Sequence, residues 1–213
     1  MSALIADTQE DKLGTVFYKE PTGYTPAMNS PEKMYWRDAI QSEMDSIDAH
    51  DTYTEIQIPS YVNPKQMLTL RWVFKRKTKS DGSLDKYKAR LCVQGYKQKY
   101  GIDYNEVYSP TLKHSTLRTL LTVAAAEDLE LHHWDVSTAF LNAKLEEDLY
   151  VKIPEGYPNH GKPNKCWKLN RALYGLKQAP AAWHHEFKHT LKEIGFRQCP
   201  LDACIYISIR RMV

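Results

Sequence analysis

Three groups of residues in this 213-residue sequence have side chains whose type and spacing suit chemistry. The first is Lys86, Lys88 and Arg90, cations at every second position. Alternate residues of a strand project to one side, so a strand here would present them together as a face for phosphate. The second is Asp135, in His133-Trp134-Asp135-Val136 at the end of an apolar stretch. A carboxylate fixed at a strand end is well placed to hold a hard cation such as Mg²⁺. The simpler reading is an aspartate that caps the next turn. The third is Leu173-Tyr174-Gly175-Leu176-Lys177-Gln178-Ala179-Pro180. Gly175 permits close backbone approach and Lys177 sets a cation beside it, which suits a phosphate contact. An ordinary loop entering a helix with Pro180 in its first turn accounts for the same residues. A weaker set, His185, His189, Cys199 and Cys204, has spacing like that of zinc ligands. Its order is reversed from zinc fingers and it has no tight Cys pair, so solvated histidines and buried thiols are the preferred reading.

The elements that must position these groups are legible to different degrees. Leu68, Leu70, Trp72 and Phe74 alternate with Thr69, Arg71, Val73 and Lys75. After Ser80-Asp81-Gly82-Ser83, a turn, Tyr87, Ala89, Leu91 and Val93 alternate with the cations. Two alternating runs around an Asp-Gly turn predict a β-hairpin with one apolar and one cationic face. Charge follows this division. Residues 1–60 hold 4 basic and 11 acidic side chains, residues 71–100 hold 10 and 2, and the remainder is nearly balanced, so the net +3 hides a local block of +8.

Residues 1–29 are polar and acidic and predict a flexible leader, with the ordered domain spanning 30–213. Ser30-Pro31-Glu32 predicts a helix start, with Trp36, Ile40, Glu43/Met44 and Ile47 on its apolar face and an end near His50-Asp51. Leu117, Leu120, Leu121 and Ala124 predict a second amphipathic helix. Leu129–Val136 predicts a strand, and Ser137–Leu141 a turn or short helix. Short strands follow at Leu149–Ile153 and Cys166–Leu169. A helix over Pro180–Ile194 has Trp183, Phe187, Leu191 and Ile194 on its core face and Gly195 past its end, and a last strand spans Ile205–Ile209. The mixed order predicts an α+β fold with a mostly antiparallel sheet. No apolar run approaches the roughly 18 residues that span a bilayer, so no membrane partner is expected. The start has no signal-peptide pattern, and four unpaired cysteines point to a reducing, cytoplasmic setting.

Together these strings resemble one family. Arg71-Trp72-Val73-Phe74-Lys75, Lys86-Tyr87-Lys88-Ala89-Arg90-Leu91, Gly95-Tyr96-Lys97-Gln98, Gly101-Ile102-Asp103-Tyr104 and Tyr108-Ser109-Pro110 are similar to copia-type reverse transcriptases of LTR retrotransposons. So are Asp135-Val136 with Ala139-Phe140-Leu141, Leu173–Gln178 with Pro180 and Trp183, and Gly195-Phe196 with Asp202. The resemblance implies right-hand polymerase fingers and a ferredoxin-like palm. It implies transfer of deoxynucleoside triphosphates to a primer on an RNA or DNA template, with Mg²⁺ as cofactor. Asp135 would be the first metal carboxylate, with the Val136 carbonyl completing coordination. Lys86, Lys88 and Arg90 would clamp the triphosphate. Phe140 would be a steric gate against the ribose 2′ hydroxyl, or else a core aromatic. Tyr174 and Gly175 would lie beside the nucleotide, and Lys177, Gln178 and Pro180 toward the template. Further Pol segments would be partners, and the family setting is a virus-like particle.

The family also carries a Tyr-x-Asp-Asp segment, and these residues contain no adjacent aspartates. The expectation is therefore a fingers and partial-palm fragment that is inactive alone. A non-catalytic nucleic-acid-binding module and a decayed element are the rival readings.

Overall fold

The computed structural model of the protein describes residues 8–10 and 16–208. Thr8–Glu10 (β1) and Val16–Tyr18 (β2) pair antiparallel. The rest of residues 1–15, and Ile209 of the expected last strand, lie outside the described residues. Within the stretch expected as a flexible leader, Tyr24–Asn29 form a short helix (α1) whose Ala27 is fully buried. The next helix (α2) runs Lys33–Ala49, starting later than Ser30-Pro31 predicted. Ser30 instead closes α1, its hydroxyl donating to the Ala27 carbonyl at 2.8 Å. Glu32, expected to face the helix dipole, turns its carboxylate onto the Arg76 guanidinium at 2.9 Å and accepts from the Tyr87 hydroxyl at 2.9 Å. A direct charge-assisted hydrogen bond outweighs a dipole contact.

The predicted hairpin forms, as Leu70–Thr78 (β4) and Leu84–Val93 (β5). Its register pairs Trp72 with Leu91 and Phe74 with Ala89 on one face, and Val73 with Arg90 and Lys75 with Lys88 on the other. The apolar face lies against α2. There Trp36 is fully buried, edge-on to Phe74 and Tyr87 with ring centres 5.2 and 4.6 Å away.

A separate three-stranded sheet has the order Tyr53–Gln57 (β3), Lys165–Arg171 (β7), Lys144–Val151 (β6), all antiparallel. Sequence patterning did not mark β3. Its alternation is masked because Tyr53 is half-buried, stacked on Trp167 at 3.7 Å. Sheet and hairpin share one core. Leu68 bridges to Val151, and the Trp72 indole N–H donates to the Glu155 carbonyl at 3.0 Å.

His114–Ala126 form α3 as predicted, but Leu117, Leu120 and Leu121 remain exposed and Ala124 alone is buried. The predicted strand over 129–136 is absent. Its residues lie outside regular structure, with Leu131 68% and Trp134 87% exposed. A strand needs a partner for its N–H and C=O groups, and no described strand pairs with this segment. Ala179–Glu193 form α4, with Pro180 in the first turn. Gly195, at φ +93°, follows the helix, and Phe196 N–H returns to the Leu191 carbonyl at 2.8 Å, the glycine-dependent stop the sequence predicted. Of the face expected in the core, Trp183 and Phe187 are half-buried and Ile194 is exposed. The last elements among the described residues are a short hairpin, Arg197–Gln198 (β8) with Tyr206–Ile207 (β9). The architecture is α+β with antiparallel sheets. No described helix is long and apolar enough to cross a membrane.

Because Trp36 joins α2 to both hairpin strands, Trp36→Ala should lower stability by about 3–5 kcal/mol, read from urea unfolding. A loss below about 1 kcal/mol would mean that the hairpin and α2 do not share a core.

Candidate functional site

The cationic face of β5 meets two other parts of the chain. Lys86, Lys88 and Arg90 project from one side of the strand, as the alternation predicted, and across the hairpin Lys88 faces Lys75 and Lys86 faces Lys77. Like charges directly opposite one another destabilise a sheet, so this face is held by the core behind it. Burial, and next the neighbouring Arg90 charge, hold the Lys88 ammonium below the usual lysine range.

The free edge of β5 docks the segment 172–178. Val93 N–H donates to the Tyr174 carbonyl at 2.7 Å. Two glycines make this approach possible. A Cβ on Gly95 would strike the Gly175 carbonyl oxygen, and one on Gly175, at φ +89°, would strike the Val93 carbonyl oxygen. The close backbone approach expected of Gly175 is thus made to β5 itself. One step along the same edge, Leu91 N–H donates to the Glu43 carboxylate at 3.2 Å. Glu43 is buried. Burial pushes its carboxyl above the ordinary glutamate range, against the opposing pulls of the Leu91 N–H, Lys88 and Arg90. Sequence reasoning placed Glu43 on the apolar face of α2 without giving it a role. An acid in an apolar stripe was the available signal.

Docking brings three of the predicted nucleotide residues together. The Arg90 guanidinium carbon lies 5.4 Å from the centre of the Tyr174 ring. Phe140 packs edge-on to the same ring, with centres 5.2 Å apart. Burial, and then the Glu43 charge, raise the Tyr174 phenol above its ordinary value. Arg90 Nε is buried and makes no hydrogen bond among the described residues. Phe140 sits in a 3-10 turn, Ala139–Asn142, entered through Thr138 in the left-handed region. Buried Leu141 and Ala143 fix that turn, and Ala172 N–H donates to the Ala143 carbonyl at 2.9 Å, tying it to the docked segment.

The residues expected toward the template are also ordered. Lys177 N–H donates to Gln98 Oε1 at 2.8 Å, and its ammonium reaches the Gln98 carbonyl at 3.2 Å and lies 4.9 Å from the centre of the Tyr104 ring. Gln178 is buried, accepting from Gln98 Nε2 and donating to the Asp103 carbonyl, both at 2.9 Å. Pro180 is exposed in the first turn of α4. Gln98 and Tyr104 were missed as site-building residues. Gln98 is a lone polar side chain with no periodic context.

Asp135 and Val136 are exposed on the irregular segment before Thr138, so Asp135 does not project from a strand end as expected. Their carboxylate and carbonyl are hard oxygens, which suit Mg²⁺ in kind. They fall short in number: among the described residues no group of three or more His, Cys, Asp or Glu could hold a metal. His185 and His189 are exposed, and Cys199 and Cys204 are half-buried.

A cationic strand face, an arginine over a tyrosine ring and an edge-on phenylalanine are thus gathered in one place. The family model described as reverse transcriptase (RNA-dependent DNA polymerase) matches residues 50–211, and the chain belongs to that family. Its relatives place it with the copia-type retrotransposons. It is 42% identical over 190 residues to the retrovirus-related Pol polyprotein from transposon TNT 1-94 of Nicotiana tabacum, covering 89% of this chain and 14% of that protein. It is 39% identical over 176 residues to the Pol polyprotein from transposon RE1 of Arabidopsis thaliana, covering 82% of this chain and 12% of that protein. The chain therefore spans only a small part of these relatives. No solved structure matches it.

Two outcomes follow from the docked edge. A group whose pKa is raised by folding contributes most below its unfolded value, near 4.5 for Glu43, and loses that contribution as pH rises through the folded value. Glu43→Gln keeps an acceptor for Leu91 N–H, so it should raise stability at neutral pH and flatten the stability–pH curve above 4.5. Glu43→Ala should lower stability by about 1–3 kcal/mol by orphaning that N–H. Urea midpoints at mildly acidic and neutral pH decide it, and equal losses for Gln and Ala would sink the argument. Gly175→Ala should cost at least about 1–3 kcal/mol and strip the Val93 amide of hydrogen-exchange protection. A protected Val93 amide in that variant would contradict the docking.

Proposed function

We propose that these residues form the fingers and part of the palm of an RNA-directed DNA polymerase. The observation that carries this reading is the cluster of Arg90, Tyr174 and Phe140 beside the cationic face of β5. Arg90, with Lys86 and Lys88, binds the triphosphate of an incoming deoxynucleotide. Arg90 and the two lysines supply fixed positive charge where the leaving pyrophosphate gathers negative charge. Tyr174 and Gly175 form the floor beside the nucleotide. Phe140, edge-on to Tyr174, occupies the space a ribose 2′ hydroxyl would need. Lys177, Gln178 and Pro180 face the template strand, with Gln178 acting through the bonds that hold its loop.

Divalent metal use goes with the family. Asp135 and the Val136 carbonyl would contribute to a Mg²⁺ site whose bound ion activates the primer 3′ hydroxyl. One carboxylate does not fix two ions, and the sequence has no pair of adjacent aspartates. These 213 residues by themselves are accordingly proposed not to extend a primer. The same cations support a second reading, nucleic-acid binding without chemistry, because opposed lysines favour any polyanion.

Arg90→Ala should weaken dTTP binding to the chain at least about tenfold, the loss of one charge-assisted contact of roughly 1.5–3 kcal/mol. Isothermal titration with Arg197→Ala, an exposed arginine on β8, as the control measures it. Unchanged dTTP affinity would remove Arg90 from the site. Incubation of the chain with Mg²⁺, deoxynucleotides and a primed template should give no extension. Extension that Asp135→Asn abolishes would overturn the proposed inactivity.

A further inference from the structure

The segment after β5 carries tyrosines that the fold does not bury. Tyr96 and Tyr100 are each 74% exposed. Tyr104 lies edge-on to Tyr100, with ring centres 5.7 Å apart. Leaving such rings in water forgoes the gain that burial would give, and nothing in the core needs them there.

Their loop is nonetheless pinned. Gln98, between Tyr96 and Tyr100, is 5% exposed and bonds Gln178 and the backbone of Lys177. Lys99 N–H donates to Asp103 Oδ2 at 2.7 Å, and Gly101 N–H to the Tyr104 carbonyl at 2.9 Å. The rings are thus held outward by a fixed base and lose little freedom when something stacks on them. Cations are interleaved with them. The Lys97 ammonium lies 5.7 Å from the centre of the Tyr96 ring, the Lys177 ammonium lies 4.9 Å from that of Tyr104, and Lys99 is exposed. The nearby acids are engaged by backbone N–H donors. Asp103 accepts from Lys99 N–H, and Glu106 accepts from the Val107 and Tyr108 N–H groups.

We propose that Tyr96, Tyr100 and Tyr104, with Lys97, Lys99 and Lys177, form a stacking platform for the unpaired bases of a single-stranded nucleic acid. Bases stack on exposed aromatic rings irrespective of sequence, and interleaved lysines follow the phosphates. A duplex, whose bases are already stacked, has nothing to lay on the rings. This rests on the reading of the chain as a template-binding polymerase part, and it names the surface that takes the unpaired template strand. Alternating cations favour this partner over a protein surface, for which bare tyrosines alone would serve.

The test is fluorescence anisotropy with labelled oligothymidylate and oligoadenylate RNA over a range of salt, using the 213-residue chain. Tyr96→Ala and Tyr100→Ala should each weaken single-strand binding by about fivefold to a hundredfold. The slope of log K against log salt should stay unchanged, because no cation is removed. Tyr→Phe at either position should restore affinity, and duplex binding should not move. The double variant Lys97→Ala/Lys99→Ala should instead flatten the slope by about 0.7 per lost phosphate contact. If tyrosine variants bind like wild type while Lys86→Ala/Lys88→Ala weakens binding, the platform is wrong and the polymerase reading stands. If neither set matters, that reading fails as well. If the tyrosine variants change only self-association in sedimentation, the surface binds protein and the proposal is overturned.

Discussion

The site depends on one edge-to-loop contact, the hydrogen bond from Val93 N–H to the Tyr174 carbonyl. A two-stranded hairpin is marginal alone and has open edges. Here the outer edge of β5 is closed twice, by the Glu43 carboxylate at Leu91 and by the Tyr174 carbonyl at Val93. The first contact fixes the hairpin to α2, and the second fixes the segment before α4 to the hairpin. Arg90 immediately precedes the first of these closed positions, and docking of the segment that carries Tyr174 on the same strand brings its guanidinium carbon to 5.4 Å from the ring centre. Gly95 and Gly175 are required because two main chains meet there with no room for a Cβ. Those glycines therefore serve the site without touching a ligand.

The parts legible in sequence were those in which one face is buried and one is wet. The hairpin register, the cationic face and the stop of α4 at Gly195 all follow from local period and turn chemistry. The grouping of Arg90, Tyr174 and Phe140 was reachable through family resemblance, because it joins residues far apart in the chain that no periodicity links. The segment 129–136 misled because apolar content was read as a strand. Pairing is a tertiary property, and no described strand supplies it. Asp135 therefore stands on exposed irregular chain. Helix α1 and strand β3 were missed for a related reason. Each is short, and each is fixed by packing rather than by a local period, α1 with its buried Ala27 against α2 and Tyr53 on Trp167.

Buried charge is used in two ways in this fold. Glu32 and Arg76 have side chains about one-tenth exposed and satisfy one another together with the Tyr87 hydroxyl. Removing one partner would strand the other in a dry setting, so the trio locks the start of α2 to the hairpin in a single arrangement. Glu43 is different. It has a backbone donor and two nearby cations, and burial still leaves its carboxyl raised. The first arrangement specifies the fold, whereas the second leaves a titratable group against the strand that carries the cations.

The cations gathered on the hairpin, Lys77, Lys86, Lys88 and Arg90, give the empty protein a built-in repulsion. A bound polyanion would cancel that repulsion as well as make contacts of its own. Ligand affinity and hairpin rigidity would then draw on the same free energy, by linkage between binding and folding. The hairpin would be softest when empty and stiffest when a polyphosphate lies across it, so occupancy would be reported as mechanical order at its tip.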